Sequence, residues 1–142
     1  MTTIAYKNGV VAYDSRITID NLIVDDDYEK MIEHNKVLFF MTGSTCDYQS
    51  FVRAYFNKDH GYKELDIAAI VIENGDIYYS ALGDNGLVWK SPIRKTSSFA
   101  IGTGRSFALA FMDMGLSAEE AVAKTIKRDS NSGGLVRSRF VL

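Results

Sequence analysis

Thr2 is the first candidate for chemistry because its hydroxyl group lies one peptide bond from the N-terminus of the chain. Methionine aminopeptidases generally remove an initiator methionine that precedes a small residue, so we expect Met1 to be cleaved. The mature chain would then carry a nucleophilic hydroxyl and a free α-amine, with a pKa of about 7.7–8.0 in peptides, on one residue. That amine is a general base for the hydroxyl. Taken alone, Thr2 is more simply the ordinary first residue of a strand.

Asp14 and Lys30 are a second candidate pair, sixteen residues apart. Asp14 lies in "AYDSRIT" at the end of an apolar run, and Lys30 begins the next predicted hairpin. We expect an ion pair across neighbouring strands, in which the lysine disfavours the protonated form of a nearby amine and the aspartate holds the lysine in place. The simpler interpretation is a surface ion pair, worth about 0–1 kcal/mol.

Two further segments combine glycine with polar residues. In "MTGSTCD", Gly43 follows the apolar run "KVLFF", and glycine at such a strand-to-helix junction lets a ligand approach the backbone. Its N–H is then a candidate for stabilising an oxyanion, although a turn before a helix is the simpler interpretation. "RDSNSGG" follows a predicted helix, and this composition is most often that of a loop.

Other groups of reactive side chains are weaker candidates. Cys46 with His34 or His60 has the residue types of a thiol protease, but no pattern brings them together, and a buried packing role suits the cysteine better. The acidic run "VDDDYEK" lacks the spacing of an EF-hand loop, and "IGTGRSF" lacks the lysine of a phosphate-binding loop. We therefore predict no metal ligands and no cofactor.

The elements that must position these residues are mostly β-hairpins. Turn residues separate pairs of apolar runs at three places, so the sheets should be antiparallel; these are Asn8-Gly9, the vicinity of His34-Asn35, and Asn74-Gly75. The chain also ends in a predicted strand, "GGLVRSRFVL".

Helical spacing appears in three segments. "STCDYQSFVRAYFNK" follows Gly43, and "RSFALAFMDMG" ends at Gly115, a plausible C-terminal cap. "LSAEEAVAKTIKR" begins with Ser117 and has Glu120 three residues on, which is the spacing of a capping box. Helices in separate blocks between hairpins indicate an α+β fold in which helices cover sheet faces.

The whole chain has the length and composition of one soluble domain spanning residues 1–142. The net charge of −2 and the lack of a basic face argue against nucleic acid as a partner. No apolar run is long enough to span a membrane, and the N-terminus does not have the pattern of a signal peptide. One cysteine in 142 residues forms no internal disulfide, which favours a cytoplasmic setting.

The order and spacing of the motifs resemble those of the proteasome β-subunit and HslV family of N-terminal nucleophile hydrolases. The resemblance rests on "TTIAYKNGVVAYDSR", a lysine sixteen residues after the aspartate, "TGSTCD", "IGTG" and "RDSNSGG". It implies a four-layer αββα sandwich and a threonine-type endopeptidase that acts on protein or peptide substrates.

The resemblance also assigns site residues. It implies that Thr2 is the nucleophile, that Asp14 and Lys30 lie beside it, and that the N–H of Gly43 forms the oxyanion hole. Thr103 falls where the family usually has serine, with its hydroxyl able to bond the α-amine, and Asp129 and Ser132 support the site. The region of Asp129 and Ser132 also holds a structural cation in some relatives. The first substrate pocket, expected to be apolar, would be lined by Ile17, Tyr28, Ile32, Met41, Thr45 and Gln49.

The chain departs from the family pattern after Gly43, where Thr45 to Asp66 leaves room for one short helix instead of two long ones. The helical layer is therefore reduced, and we expect a homo-oligomer built as a single ring or another small cyclic assembly. An ATP-dependent unfoldase is a candidate partner by the same resemblance. The alternative is a catalytically silent protein of this fold that acts as a structural or regulatory binding partner.

Overall fold

A computed structural model describes residues 2–57 and 64–142 of the chain. Met1, whose removal the sequence predicts, and His60 lie outside the described residues. The strands are β1 (Thr3–Lys7), β2 (Val10–Tyr13), β3 (Ile17–Ile19), β4 (Leu22–Asp25), β5 (Met31–His34), β6 (Val37–Gly43), β7 (Ile67–Glu73), β8 (Asp76–Leu82), β9 (Val88–Ile93), β10 (Phe99–Gly102) and β11 (Arg137–Phe140). The helices are a 3₁₀ turn (Thr45–Asp47), α1 (Tyr48–Phe56), α2 (Arg105–Asp113) and α3 (Ala118–Thr125).

The strands form two larger sheets and one separate hairpin, and every pairing is antiparallel, as predicted. One sheet has the order β10-β1-β2-β11, the other has the order β5-β6-β7-β8-β9, and β3 pairs only with β4. The first strand of the chain is thus an interior strand, between β10 and β2. This placement fixes the N-terminal segment, which in many proteins frays.

The three predicted hairpin turns are confirmed. Asn8 and Asn74 have φ values of 50° and 53°, and the glycines that follow them have φ values of 82° and 77°. Two consecutive residues with positive φ are the mark of the tight turn that suits twisted antiparallel strands. The middle turn lies at Asn35 and Lys36, one residue later than the predicted position.

Three clusters of buried side chains hold the elements together. The central cluster joins the two sheets and includes Ile4, Tyr6, Phe40, Ile70 and Ile101. A second, the α1 cluster, joins the five-stranded sheet to α1 and includes Phe39, Met41 and Phe51. A third joins the four-stranded sheet to α2 and α3 and includes Ala5, Ala12, Ala108 and Ala121. The fold is therefore α+β, with helices packed on sheet faces.

The helix ends follow the sequence signals. At the start of α3, Ser117 Oγ accepts a hydrogen bond from Glu120 N at 3.1 Å, and Glu120 Oε1 accepts one from Ser117 N at 3.0 Å, so the capping box is confirmed. Gly115, just after α2, has a φ of 99°, as a C-terminal cap requires. None of the helices in the described ranges is long and apolar enough to cross a membrane.

Candidate active site

Thr2, Asp14 and Lys30 meet in the interior at the start of β1. Lys30 Nζ donates to Thr2 Oγ1 at 2.5 Å and to Asp14 Oδ1 at 2.9 Å, and Thr2 Oγ1 donates to the same Asp14 oxygen. All three residues are at most 1% exposed. The Asp14–Lys30 ion pair is therefore buried, and its interpretation as a weak surface pair is wrong.

Backbone amides fix the Asp14 carboxylate from three segments of the chain. Oδ1 accepts from Thr3 N at 3.1 Å, and Oδ2 accepts from Gly133 N at 2.9 Å and Arg16 N at 3.2 Å. A carboxylate bonded on both oxygens cannot rotate freely, so its position also sets that of the lysine it binds.

Burial lowers the pKa of Lys30, because a charged ammonium group is costly in a site from which water is excluded. The charge of Asp14 and its hydrogen bond to the lysine act in the opposite direction, but the effect of burial is larger. The Lys30 ammonium is thus easier to deprotonate than an ordinary lysine while it remains in contact with the Thr2 hydroxyl.

A second polar cluster supports the start of β1. Asp129 Oδ2 accepts from Thr103 Oγ1 at 2.6 Å and from Ser132 Oγ at 2.7 Å, and Ser132 Oγ lies 2.7 Å from Thr3 Oγ1. Thr103 Oγ1 also lies 3.4 Å from the carbonyl oxygen of Thr2. In the structure the Thr103 hydroxyl bonds Asp129 and this carbonyl, and the bond to a free α-amine that the resemblance implies stays a prediction.

Gly43 ends β6 in a conformation that suits glycine. Its φ is 123°, and a Cβ atom there would lie 1.8 Å from the carbonyl oxygen of Asp66. Any other residue would force β6 and the start of β7 apart. Glycine therefore allows the two strands to approach closely and leaves the backbone of Gly43 uncovered by a side chain.

Two depressions meet at Gly43. The first, which we call the Ile17 cleft, has a volume of about 390 Å³ and is lined by residues that include Ile17, Asp20, Thr45, Cys46 and Asn131. The second, which we call the Thr42 pocket, has a volume of about 590 Å³ and is lined by residues that include Thr42, Ala68, Tyr79, Phe99, Ile101, Thr103 and Arg105. Gly43 and Asp66 line both.

The six residues expected in the first substrate pocket lie around the Ile17 cleft and the α1 cluster, which share Tyr48, and their role in a substrate pocket stays a prediction. Ile17 and Thr45 line the Ile17 cleft, and Gln49 is exposed on α1. Tyr28, Ile32 and Met41 pack in the α1 cluster, where Met41 is completely buried. The acidic residues Asp20 and Asp66 also line the cleft, so its wall is less apolar than the resemblance implied.

Other candidates from the sequence lie apart from this site or remain untested. Cys46 is exposed, so its expected burial is wrong, and the ring of His34 packs on Phe56 with ring centres 5.4 Å apart. Within residues 2–57 and 64–142, no group of three or more His, Cys, Asp or Glu side chains could hold a metal ion. The structural cation suggested near Asp129 and Ser132 stays a prediction.

Sequence reasoning missed two contributors to the site. The hydroxyl of Thr3 extends the Asp129 cluster, and only the doubled threonine in "TTI" pointed to it. Arg16 forms a bidentate ion pair with Asp26, at 2.8 and 3.1 Å, beside the Gly133 backbone. No local pattern indicated that pair.

Comparison with known proteins identifies the fold. The chain resembles BPH from Thiobacillus denitrificans in complex with epoxomicin, with a TM-score of 0.71, 18% identity, and coverage of 97% of this chain and 96% of that one. It resembles a second structure of the same BPH, with a TM-score of 0.65, 17% identity and coverage of 97% and 95%.

Eukaryotic HslV from Trypanosoma brucei is also similar, with a TM-score of 0.69, 19% identity and coverage of 97% of each chain. No family model and no curated protein matches the sequence. At these identities the likeness establishes the fold alone. This chain therefore has the fold of the HslV and BPH structures over almost its entire length.

Proposed function

We propose that this protein is a threonine-type endopeptidase whose nucleophile is the N-terminal Thr2 of the processed chain. The observation that carries the proposal is the buried contact of Lys30 Nζ with both Thr2 Oγ1 and Asp14 Oδ1. Burying an ion pair is costly, so a purely structural role would not require it. The buried Lys30 ammonium lies 2.5 Å from the Thr2 hydroxyl, which favours a chemical role.

The mechanism uses groups on one residue. Once Met1 is removed, the α-amine of Thr2 accepts the hydroxyl proton, directly or through water, while Oγ1 attacks the carbonyl carbon of a peptide bond. The charge of Lys30 disfavours protonation of that amine before the attack. The backbone N–H of Gly43 stabilises the oxyanion, and the leaving amine takes the proton held by the α-amine. Water then hydrolyses the ester and returns the Thr2 hydroxyl.

The fold supports this assignment. The BPH structure that resembles this chain was determined in complex with epoxomicin. We propose that this chain likewise binds peptide-like ligands, across Gly43. We also infer that its elements form the four-layer αββα arrangement expected from the sequence, because the three core clusters lie between successive sheets and helices.

The first experiment asks whether Thr2 is the nucleophile. Intact mass should show loss of Met1, and a fluorogenic peptide panel should be cleaved by the wild-type protein. Thr2→Ala should abolish cleavage, whereas Thr2→Ser should retain part of it because the hydroxyl and amine remain. Thr96→Ala, on the exposed loop before β10, is the matched control and should cleave normally.

A peptide epoxyketone gives a second readout. Its ketone and epoxide react with a hydroxyl and a free amine on the same residue, so it should add one equivalent of mass to wild type and none to Thr2→Ala. Cleavage by Thr2→Ala at the wild-type rate would show that the mechanism is wrong.

The second candidate function is that of a catalytically silent protein that binds a partner. It is favoured by the reduced helical cover, since α1 with its preceding 3₁₀ turn is the helical structure described between Gly43 and β7. Retention of Met1 together with absence of any peptide cleavage would establish this alternative, because the amine of Thr2 would then remain in a peptide bond.

We also propose that the protein forms a homo-oligomer. Within residues 2–57 and 64–142, the β3–β4 hairpin pairs with neither larger sheet. Four of its apolar side chains are between 46% and 66% exposed: Ile19, Leu22, Ile23 and Val24. Contiguous exposed apolar side chains of this kind mark association surfaces.

A further inference from the structure

The Thr42 hydroxyl is the starting point for a second inference. Thr42 is 5% exposed, and its Oγ1 is the one buried side-chain N or O atom among the described residues that makes no hydrogen bond. A buried hydroxyl without a partner is unfavourable, and native structures rarely retain one without a reason. A bound ligand with a polar atom at this position would supply the missing partner.

The alternation of side chains along β6 shows where the Thr42 hydroxyl lies. Phe39 and Met41 belong to the α1 cluster, whereas Leu38 and Phe40 belong to the central cluster between the sheets. Thr42 follows Phe40 by two residues and therefore shares its face. It lies at the end of the central cluster, where the Thr42 pocket opens.

The walls of the Thr42 pocket combine aromatic and aliphatic side chains with the polar residues Asp66, Thr103 and Arg105. Tyr79 and Phe99, with ring centres 5.4 Å apart, pack against the central cluster, to which Ile101 belongs. A volume of about 590 Å³ is within the range of ligand-binding pockets, which combine an apolar lining with a few placed polar groups. The pocket thus suits a large apolar body that carries a hydrogen-bonding group.

The position of the pocket relates it to the proposed nucleophile. Its far side is formed by Gly102 and Thr103, and a Cβ atom on Gly102 would lie 2.0 Å from the carbonyl oxygen of Thr2. On the other side of Gly43 lies the Ile17 cleft. An extended peptide that crosses Gly43 therefore reaches the cleft with one end and the Thr42 pocket with the other.

The backbone of β10 adds a means of holding such a peptide. Among the residues that the structure describes, β10 is an edge strand that pairs only with β1, and all four of its residues line the Thr42 pocket. Edge strands present backbone N–H and C=O groups to which an extended segment can bond.

We propose that the Thr42 pocket binds the substrate side chain that follows the scissile bond and selects a side chain with an apolar body and a polar tip, such as tyrosine. The direction of the peptide rests on the proposed peptidase function, with the Ile17 cleft taking the residues before the cut. The Thr42 hydroxyl donates to or accepts from the tip of that side chain.

Binding is tested first, because it does not depend on hydrolysis. Two peptides that differ only as tyrosine or phenylalanine after the intended cut are titrated into the Thr2→Ala protein. The tyrosine peptide should bind about 2- to 10-fold more tightly, the range of one neutral hydrogen bond. In Thr2→Ala combined with Thr42→Val, which keeps the shape and removes the hydroxyl, the two affinities should become equal. Equal affinities in Thr2→Ala itself, or a tyrosine preference that persists without the Thr42 hydroxyl, would overturn the proposal.

Filling the pocket provides the matched control. Ala68→Leu places bulk in the Thr42 pocket and should weaken both peptides, whereas Ala81→Leu, at the cross-strand partner outside the lining, should not. Equal effects of the two substitutions would contradict binding at this place. If the wild-type protein cleaves no peptide, the peptidase proposal fails. The binding comparison still decides whether the Thr42 pocket prefers a side chain with a polar tip.

Discussion

The backbone N–H of Gly133 donates a hydrogen bond to Asp14 Oδ2 at 2.9 Å, and so connects the loop before β11 to the carboxylate that holds Lys30. A Cβ atom on Gly133 would lie 2.3 Å from the Arg16 guanidinium carbon, so a side chain there would displace Arg16, which its ion pair with Asp26 holds in place. The close packing of these segments keeps the amide directed at Asp14.

Gly133→Ala should therefore reduce peptide cleavage by displacing this amide. We expect kcat/KM to fall about 10- to 100-fold, since small misplacements of catalytic groups have effects of this size. Arg16→Ala in the same protein should recover part of the loss by removing the atoms with which the new Cβ collides. A Gly133→Ala protein as active as wild type would show that this contact does not position the site.

Lys30→Met should destabilise the protein as well as inactivate it. The substitution leaves the Asp14 carboxylate buried without its cationic partner, and breaking a buried pair in this way costs about 3–5 kcal/mol. Asp14→Asn combined with Lys30→Met should recover much of that stability but no activity. Denaturant unfolding at neutral pH measures the stability of the single and the double variant. Equal stability of the two would contradict the expected role of the ion pair.

The pH dependence of stability should reveal the lowered pKa of Lys30. Between that pKa and the value of 10.5 in the unfolded chain, the unfolded state binds the extra proton, so the free energy of unfolding should rise with pH. Burial raises the pKa of Tyr13, Tyr48 and Tyr55, and above about pH 10 their ionisation in the unfolded chain acts in the opposite direction.

The measurement is a series of unfolding curves from about pH 8 to pH 10, below the range where ionisation of the tyrosines dominates the pH dependence of stability. The increase in stability should be steeper for wild type than for Lys30→Met, in which the titrating group is missing. Identical slopes for the two proteins would mean that Lys30 keeps an ordinary pKa.

The Ile17 cleft should accept apolar and basic side chains before the cut and reject acidic ones. Ile17 offers apolar contact, while the carboxylates of Asp20 and Asp66 attract a cation and repel an anion. Asp20→Asn should lower kcat/KM for substrates with arginine at this position by a few-fold and leave leucine substrates unchanged. A fluorogenic panel compares them, and a preference for glutamate would contradict the assignment of the cleft.

The β3–β4 hairpin should carry the contact between copies of the chain. Ile19 and Leu22 are 63% and 66% exposed, and Leu22→Asp should shift the protein towards monomer in light scattering coupled to size exclusion. Met114→Asp, at a residue that is 78% exposed after α2, is the matched control and should leave the assembly intact. Loss of assembly in the control alone would place the interface elsewhere.

Local signals predicted much of this fold. The paired asparagine and glycine turns and the Ser117–Glu120 capping box depend on residues a few positions apart, so the sequence alone is enough to find them. The Asp14–Lys30 pair was predicted from its spacing, and its complete burial was not. Burial depends on the packing of distant segments, here the Gly133 loop and the start of β1.

The less successful part of the sequence analysis concerns the pockets. The family resemblance assigned Met41 to the first substrate pocket, and in the structure Met41 packs in the α1 cluster beside Tyr48, which lines the Ile17 cleft. The neighbouring Thr42 turns to the other face, where it borders a pocket that the sequence analysis did not identify. A shift of one residue along a strand exchanges its two faces, so expectations about a pocket wall are sensitive to small errors in register.

The interior position of β1 has a consequence for synthesis of the protein. β1 pairs with β2, which emerges from the ribosome soon afterwards. It also pairs with β10, which is synthesised about a hundred residues after β1. Pairing over such a separation is slow, so the nascent N-terminus stays accessible while most of the chain is translated. In the finished fold Thr2 is 1% exposed. If Met1 is removed as proposed, its removal would therefore fall within translation, before closure of the sheet covers Thr2.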